Sequence, residues 1–171
     1  MACGHCCKDY AIPLAEDEWL GFSSIFGSGA VEQMHGKNYL RRQANGKCIF
    51  QQRSEGRWLC GIQDVKPMSC RLFPFKICFK PLYGREGESF FPCAGKRVHI
   101  YVDVDCRGIE WGKPKAELVR KVLPEFVGLR MKETSRQFYS TANTLSQKSL
   151  LPVRSIFSAC DRMDLPLVVM E

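Results

Sequence analysis

The sequence predicts an α+β fold: a small, loop-rich domain stapled by cysteines and metal, with short strands and a helical C-terminal part. Three observations carry that expectation. Ten of the 171 residues are Cys, and all but Cys160 fall at or before Cys106. Val98–Val104 is dense in β-branched and aromatic residues, which suit a pleated, half-buried surface. Ala116, Val119, Val122, Leu123, Phe126 and Val127 recur at helical spacing. A content of 45% hydrophobic and 11% aromatic residues excludes a disordered chain. The lack of Gly or heptad periodicity excludes collagen-like and coiled-coil architectures. No apolar run approaches the ~18 residues of a membrane span.

The elements are expected in the following order. Residues 1–13 form a Cys-rich start. A helix from Leu14 to Ile25 carries Glu16, Asp17 and Glu18 in its first turn, where acidic groups suit the helix dipole. Gly27 and Gly29 end it. Val31–Arg42, polar with a thin apolar stripe, reads as a short helix or loop. Asn45-Gly46 and Glu55-Gly56 are turn signals around short extended pieces. Pro74 and Pro81 limit any helix near them. In the Val98–Val104 strand, Val98, Ile100, Val102 and Val104 share one face and His99 takes the polar one. Pro114 opens a helix that Pro124 kinks or splits. A second helix carries Phe138, Ala142 and Leu145, and Leu165–Met170 adds a last strand. The expected division is a cysteine-cluster domain at 1–110 and a helical extension at 111–171, packed as one structural unit.

The start, Met1-Ala-Cys-Gly-His-Cys-Cys-Lys-Asp9, lacks the apolar stretch of about 7–15 residues that a secretory signal shows. A cytoplasmic location is therefore expected, where thiols stay reduced and Cys patterns point to metal or catalysis. The adjacent Cys6 and Cys7 also oppose a disulfide framework. Their Cα atoms lie ~3.8 Å apart, short of the usual ~4.4–6.8 Å.

Cys3-Gly-His-Cys6-Cys7 is the most specific element. A C-x-x-C spacing lets two thiolates converge on one metal through a tight turn, and Gly4 permits the turn. The same spacing serves iron–sulfur proteins. Cys48, Cys60 and Cys70 follow at long gaps, suited to loops that fold back onto a site begun by the motif. Cys106 stands just after the expected strand.

These residues resemble the YkgJ-type cysteine-cluster family, expected to chelate zinc or iron. That family opens on C-x-x-C-x-x-C-C, and Cys3-Gly-His-Cys6-Cys7 is similar to its last part. Cys48-Ile-Phe, Cys60-Gly-Ile62, Lys66-Pro67-Met-Ser-Cys70-Arg71-Leu-Phe73-Pro74 and Cys106-Arg-Gly108 follow in the family's order. The family's first Cys would precede Met1, Lys66 replaces its Arg, and Arg107 replaces its Pro. The resemblance covers about residues 3–110 and implies seven ligands: Cys3, Cys6, Cys7, Cys48, Cys60, Cys70 and Cys106. It extends to flagellin lysine N-methylases, so a methyltransferase-related role is a weaker alternative.

One [4Fe–4S] cluster or one zinc ion takes four ligands, so seven is one short of two sites. Cys93 is the candidate eighth and Cys78 the second choice, while Cys160 reads as a small buried hydrophobe. The long gaps fit one or two [4Fe–4S] clusters in an electron-transfer or redox protein. The alternative is a zinc-stabilised binding module without catalysis. Phe50, Trp58, Phe73, Phe75, Phe90 and Phe91 could exclude water from the metal, and Lys66 and Arg71 could offset thiolate charge. His5 could serve as a spare donor, and neither His35 nor His99 receives a role. The chain lacks a phosphate-binding Gly-x-x-x-x-Gly-Lys-Ser/Thr and a Gly-x-Ser-x-Gly elbow. Asp103 and Asp105 read as solvated surface. The formal charge of +7 could attract nucleic acid. Two clusters of roughly −2 each would reduce it to about +3, which points away from nucleic acid and toward an unknown redox or protein partner.

Overall fold

The fold is seen in a computed structural model, which describes residues 4–82, 86–110, 112–139 and 168–170. It has short strands in small sheets with a few helices, the expected α+β class. Contacts divide the chain into two compact units, Met1–Arg71 and Leu72–Glu171, so residue 110 falls inside the second.

The first unit begins with α1 (Cys6–Asp9), β1 (Pro13–Leu14) and α2 (Glu16–Phe26). The start of α2 follows from local chemistry. Glu18, at the third helical position, accepts the Ala15 N–H at 3.0 Å. Leu14 before the helix and Trp19 in its next turn both join the core, as in a hydrophobic staple. Val31–Arg42 is neither helix nor loop but a hairpin of β2 (Val31–Met34) and β3 (Lys37–Leu40). His35 and Gly36 both have positive φ, 49° and 70°, so the two-residue turn has the twist that antiparallel strands need. Glu55-Gly56 and Ala94-Gly95 turn the chain the same way, with φ of 48° and 77°, and 50° and 74°. The first of these joins β4 (Gln51–Ser54) to β5 (Arg57–Cys60), and α3 (Met68–Leu72) follows. Strand β3 lies between β1 and β2. The core joins Leu14, Phe22, Val31, Leu40, Cys48 and Ile62, with Cys7, Trp19, Phe50 and Cys60 packed against it.

The second unit is built on β8 (Lys96–Asp103), flanked by β6 (Phe75–Cys78) and β7 (Phe90–Cys93), with α4 (Glu86–Ser89) just before β7. Its far half also pairs in parallel with β9 (Val168–Met170). Val98, His99, Ile100, Tyr101 and Val102 are all buried, so β8 is covered on both faces and His99 is not on a polar one. Its ring is satisfied by Ser89, with Oγ and Nδ1 2.9 Å apart. After Pro114 the helix begins two residues later than expected, at 116. Leu118–Val122 forms a π-turn, with Leu123 N–H donating to Leu118 O, before α5 (Leu123–Arg130). Pro124 thus sits in the first turn of α5, where its missing N–H costs little. Phe126 of α5 meets Phe75 of β6 edge-on, ring centroids 5.3 Å apart.

Phe138 is not helical. Its N–H and that of Tyr139 donate to one oxygen of buried Glu125, at 3.0 and 2.9 Å. Glu125→Ala strands both donors and is expected to cost about 1–3 kcal/mol, with Glu125→Gln, which keeps an acceptor, costing less. Urea denaturation of the two variants measures the difference. Ala142, Leu145 and 165–167 lie outside the described residues.

Candidate metal centre

Four segments of the first unit bring Cys6, Cys7, Cys48, Cys60 and Cys70 into mutual electrostatic range. The Cys6–Cys7 segment is fixed by turns. Cys7 N–H donates to Gly4 O at 3.2 Å, and Lys8 N–H to His5 O at 2.9 Å. Cys48 is tied to it directly, since its N–H donates to Cys7 O at 2.7 Å. Cys60 ends β5, in register with Gln51. Gln51 links three parts of the site: its N–H donates to Cys48 O at 3.0 Å, and its side-chain Nε2 to Gly4 O at 2.9 Å. Cys70 rides on α3, whose first N–H, that of Met68, donates to Glu18 Oε1 at 2.6 Å. Ser69 Oγ adds a bond to Pro13 O at 3.0 Å.

The thiols are poorly hydrated and resist ionising together. Burial, then the other thiols, pushes Cys70 up, and burial is also the leading cause for Cys48 and Cys60. Cys6 and Cys7 share a hydrogen bond at 3.8 Å between sulfurs. Cys6 is lowered to about 7, chiefly by that bond and, more weakly, by Lys66. Cys7 is pushed up as the donor and by burial. Arg42 acts on Cys48, and Lys66 on Cys6, Cys60 and Cys70. A donor set of desolvated, mutually repelling thiols fits a thiophilic cation, whose charge lets them ionise together. Among the described residues no three His, Cys, Asp or Glu side chains stand at metal-holding spacing.

A family model described as "CxxCxxCC: Putative zinc- or iron-chelating domain" matches residues 1–102. The chain belongs to the CxxCxxCC family. It is a metal-binding protein with a cysteine cluster. No curated protein and no solved structure matches it. Among the described residues no helix is long and apolar enough to cross a membrane.

Of the other residues singled out from sequence, Cys3 and Cys160 of this CxxCxxCC chain lie outside the described ones. Cys78, Cys93 and Cys106 belong to the second unit, Cys78 half-buried and the other two buried. Phe75 and Phe91 are buried in that unit, while Phe50 packs with Cys7, Cys48 and Cys60 in the core of the first and Trp58 lies against Gly4. Glu18 and Gln51 are positioning residues that the sequence did not reveal. The acidic first turn of α2 was legible, but not that Glu18 reaches a residue fifty positions away. Glu18→Ala is expected to loosen α3 and weaken metal binding roughly 10–100-fold, the usual loss for a group supporting a ligand. Glu18→Gln should recover part of it, and competition with a chromogenic chelator measures both.

The raised thiols also set a pH response. In metal-free protein their protonated forms favour the fold below the ordinary thiol value of 9.0, and that contribution is lost as pH rises above it. Melting temperatures of metal-free protein should fall between about pH 8 and 10, and those of the loaded protein less.

Proposed function

We propose that the protein is an iron–sulfur protein with an electron-transfer or redox role. The proposed ligands are Cys3, Cys6, Cys7, Cys48, Cys60, Cys70, Cys93 and Cys106, of one or two clusters, and Cys6, Cys7, Cys48, Cys60 and Cys70 gather in the first unit. The observation that supports the reading is the gathering of five desolvated thiols from four segments of one unit, separated by long, irregular gaps that suit a polynuclear cluster better than paired C-x-x-C zinc knuckles. An iron–sulfur cluster supplies one-electron chemistry when bound. The chain's own groups hold the thiolates, exclude water with Phe50 and Ile62, and offset charge with Lys66 and Arg42.

A zinc-stabilised binding module is the second reading, and one distance favours it. Two thiolates at about 2.3 Å from a tetrahedral zinc lie about 3.8 Å apart, and the Cys6 and Cys7 sulfurs are 3.8 Å apart. Anaerobic purification followed by iron, acid-labile sulfide and zinc analysis separates the two. Iron with sulfide supports the first reading, and stoichiometric zinc without sulfide overturns it. Harmless Cys→Ser changes at 6, 7 and 70 would overturn both ligand assignments.

A further inference from the structure

Four cations of the first unit fall into two pairs. Lys66 and Arg42 act on the thiols. Lys47 and Arg53 instead converge on one ring: Lys47 Nζ is 4.4 Å and Arg53 Cζ 5.7 Å from the Trp58 centroid. Arg53 and Trp58 are cross-strand partners, so they share a hairpin face with the partners Gln51 and Cys60. Trp58 in turn backs onto the cysteine motif, since a Cβ on Gly4 would lie 2.6 Å from Trp58 Cγ. Two cations therefore stand one side chain away from the cysteine loop. Neither forms an ion pair among the described residues, Arg53 is exposed, and Lys47 is half-buried. Like charges on one ring repel each other, and an arriving anion relieves that repulsion.

We propose that Lys47 and Arg53, gathered on Trp58 beside the cysteine motif, form the docking face for an acidic protein surface that serves the metal centre. The purpose of docking rests on the metal-centre reading, whereas the recognition rests on charge and ring geometry alone. A carboxylate-bearing surface can meet both cations without displacing them from the ring. A nucleic-acid base would need that ring to stack upon, and the cations already occupy it.

The test titrates a fluorescein-labelled decaglutamate peptide into the full, metal-loaded chain and follows anisotropy, with metal content measured on every sample. Saturable binding is expected, weakened roughly tenfold by Lys47→Glu with Arg53→Glu and largely lost at ~0.5 M salt. Arg120→Glu with Lys121→Glu, an equal charge change on exposed residues of the second unit, should leave it intact. Lys47→Gln with Arg53→Gln repeats the test with a milder change, should the reversal impair folding. Absence of saturable binding, or equal weakening by the control pair, overturns the proposal. Tighter binding of a single-stranded oligonucleotide through Lys47 and Arg53 overturns it in favour of nucleic acid. Failure of the chain to hold metal after anaerobic purification and reconstitution would sink the metal-centre reading, and saturable peptide binding by that chain would leave the docking face standing.

Discussion

Chelating the metal is expected to unfold the first unit. The core of Met1–Arg71 is small: Leu14, Phe22, Val31, Leu40 and Ile62 close around Cys48, with Cys7 and Cys60 packed against them. A segment of that size buries too little apolar surface to be secure unaided. Structural zinc contributes about 10–16 kcal/mol of apparent free energy in small zinc-finger peptides, against about 5–15 kcal/mol for the net stability of a whole domain. Losing even part of such a contribution exceeds what the apolar core can offset. Hydrogen exchange read by mass spectrometry should show amides of β2–β5 losing protection on chelation. Amides of β6 and β8, paired within the second unit, should keep theirs. Unchanged protection of the first unit would mean that metal does not hold it.

Gly4→Ala is expected to be the most damaging single change outside the cysteines. Gly4 has φ +71°, a conformation costing a side-chain-bearing residue about 1–2 kcal/mol. A Cβ there would also lie 2.6 Å from Trp58 Cγ and 2.7 Å from Trp58 Cβ. Those atoms sit close to the β5 backbone, so they cannot swing aside as a flexible side-chain end could. Overpacking of this kind adds about 1–3 kcal/mol. The total, about 2–5 kcal/mol, falls on the turn that positions Cys6 and Cys7, so metal content should fall with stability. A double-mutant cycle isolates the cause. In a Trp58→Ala background the same Gly4→Ala change should cost less, because the contact with the Trp58 ring is gone, although those with the Cβ of residue 58 and with Gln51 Nε2 remain. An undiminished cost would mean that the Trp58 ring is not what opposes a side chain at position 4.

Much of the fold was legible because it is written locally. The α2 helix begins where its acidic first turn and the Leu14–Trp19 pair say it should. The β-branched run of β8 forms the central strand of the second unit. The β2–β3 hairpin was missed because His35-Gly36 is a less familiar turn pair than Asn-Gly, and four-residue strands leave little alternation to read. His99 departs from its expected polar face because alternation in sequence implies one solvated side of the strand. Pairing with β6 and β7, and the Ser89 partner, instead bury the strand on both sides. The helical stretch at 116–130 runs on through Pro124, with a π-turn just before it that periodicity alone does not reveal.

By itself the sequence determined that cysteines are the chemistry of this protein, and in what order. Cysteine is the most numerous soft donor in the chain, and the C-x-x-C-C spacing of Cys3, Cys6 and Cys7 is readable without any knowledge of the fold. The tertiary structure decided which thiols share an environment: Cys6, Cys7, Cys48, Cys60 and Cys70 in one unit, and Cys78, Cys93 and Cys106 in the other. It also decided that Glu18 and Gln51 support the site, and that Lys47 and Arg53 meet on Trp58. The reason is physical. Ligand type is a property of a side chain, whereas desolvation, mutual charge and a hydrogen bond across fifty residues exist only once the chain has folded.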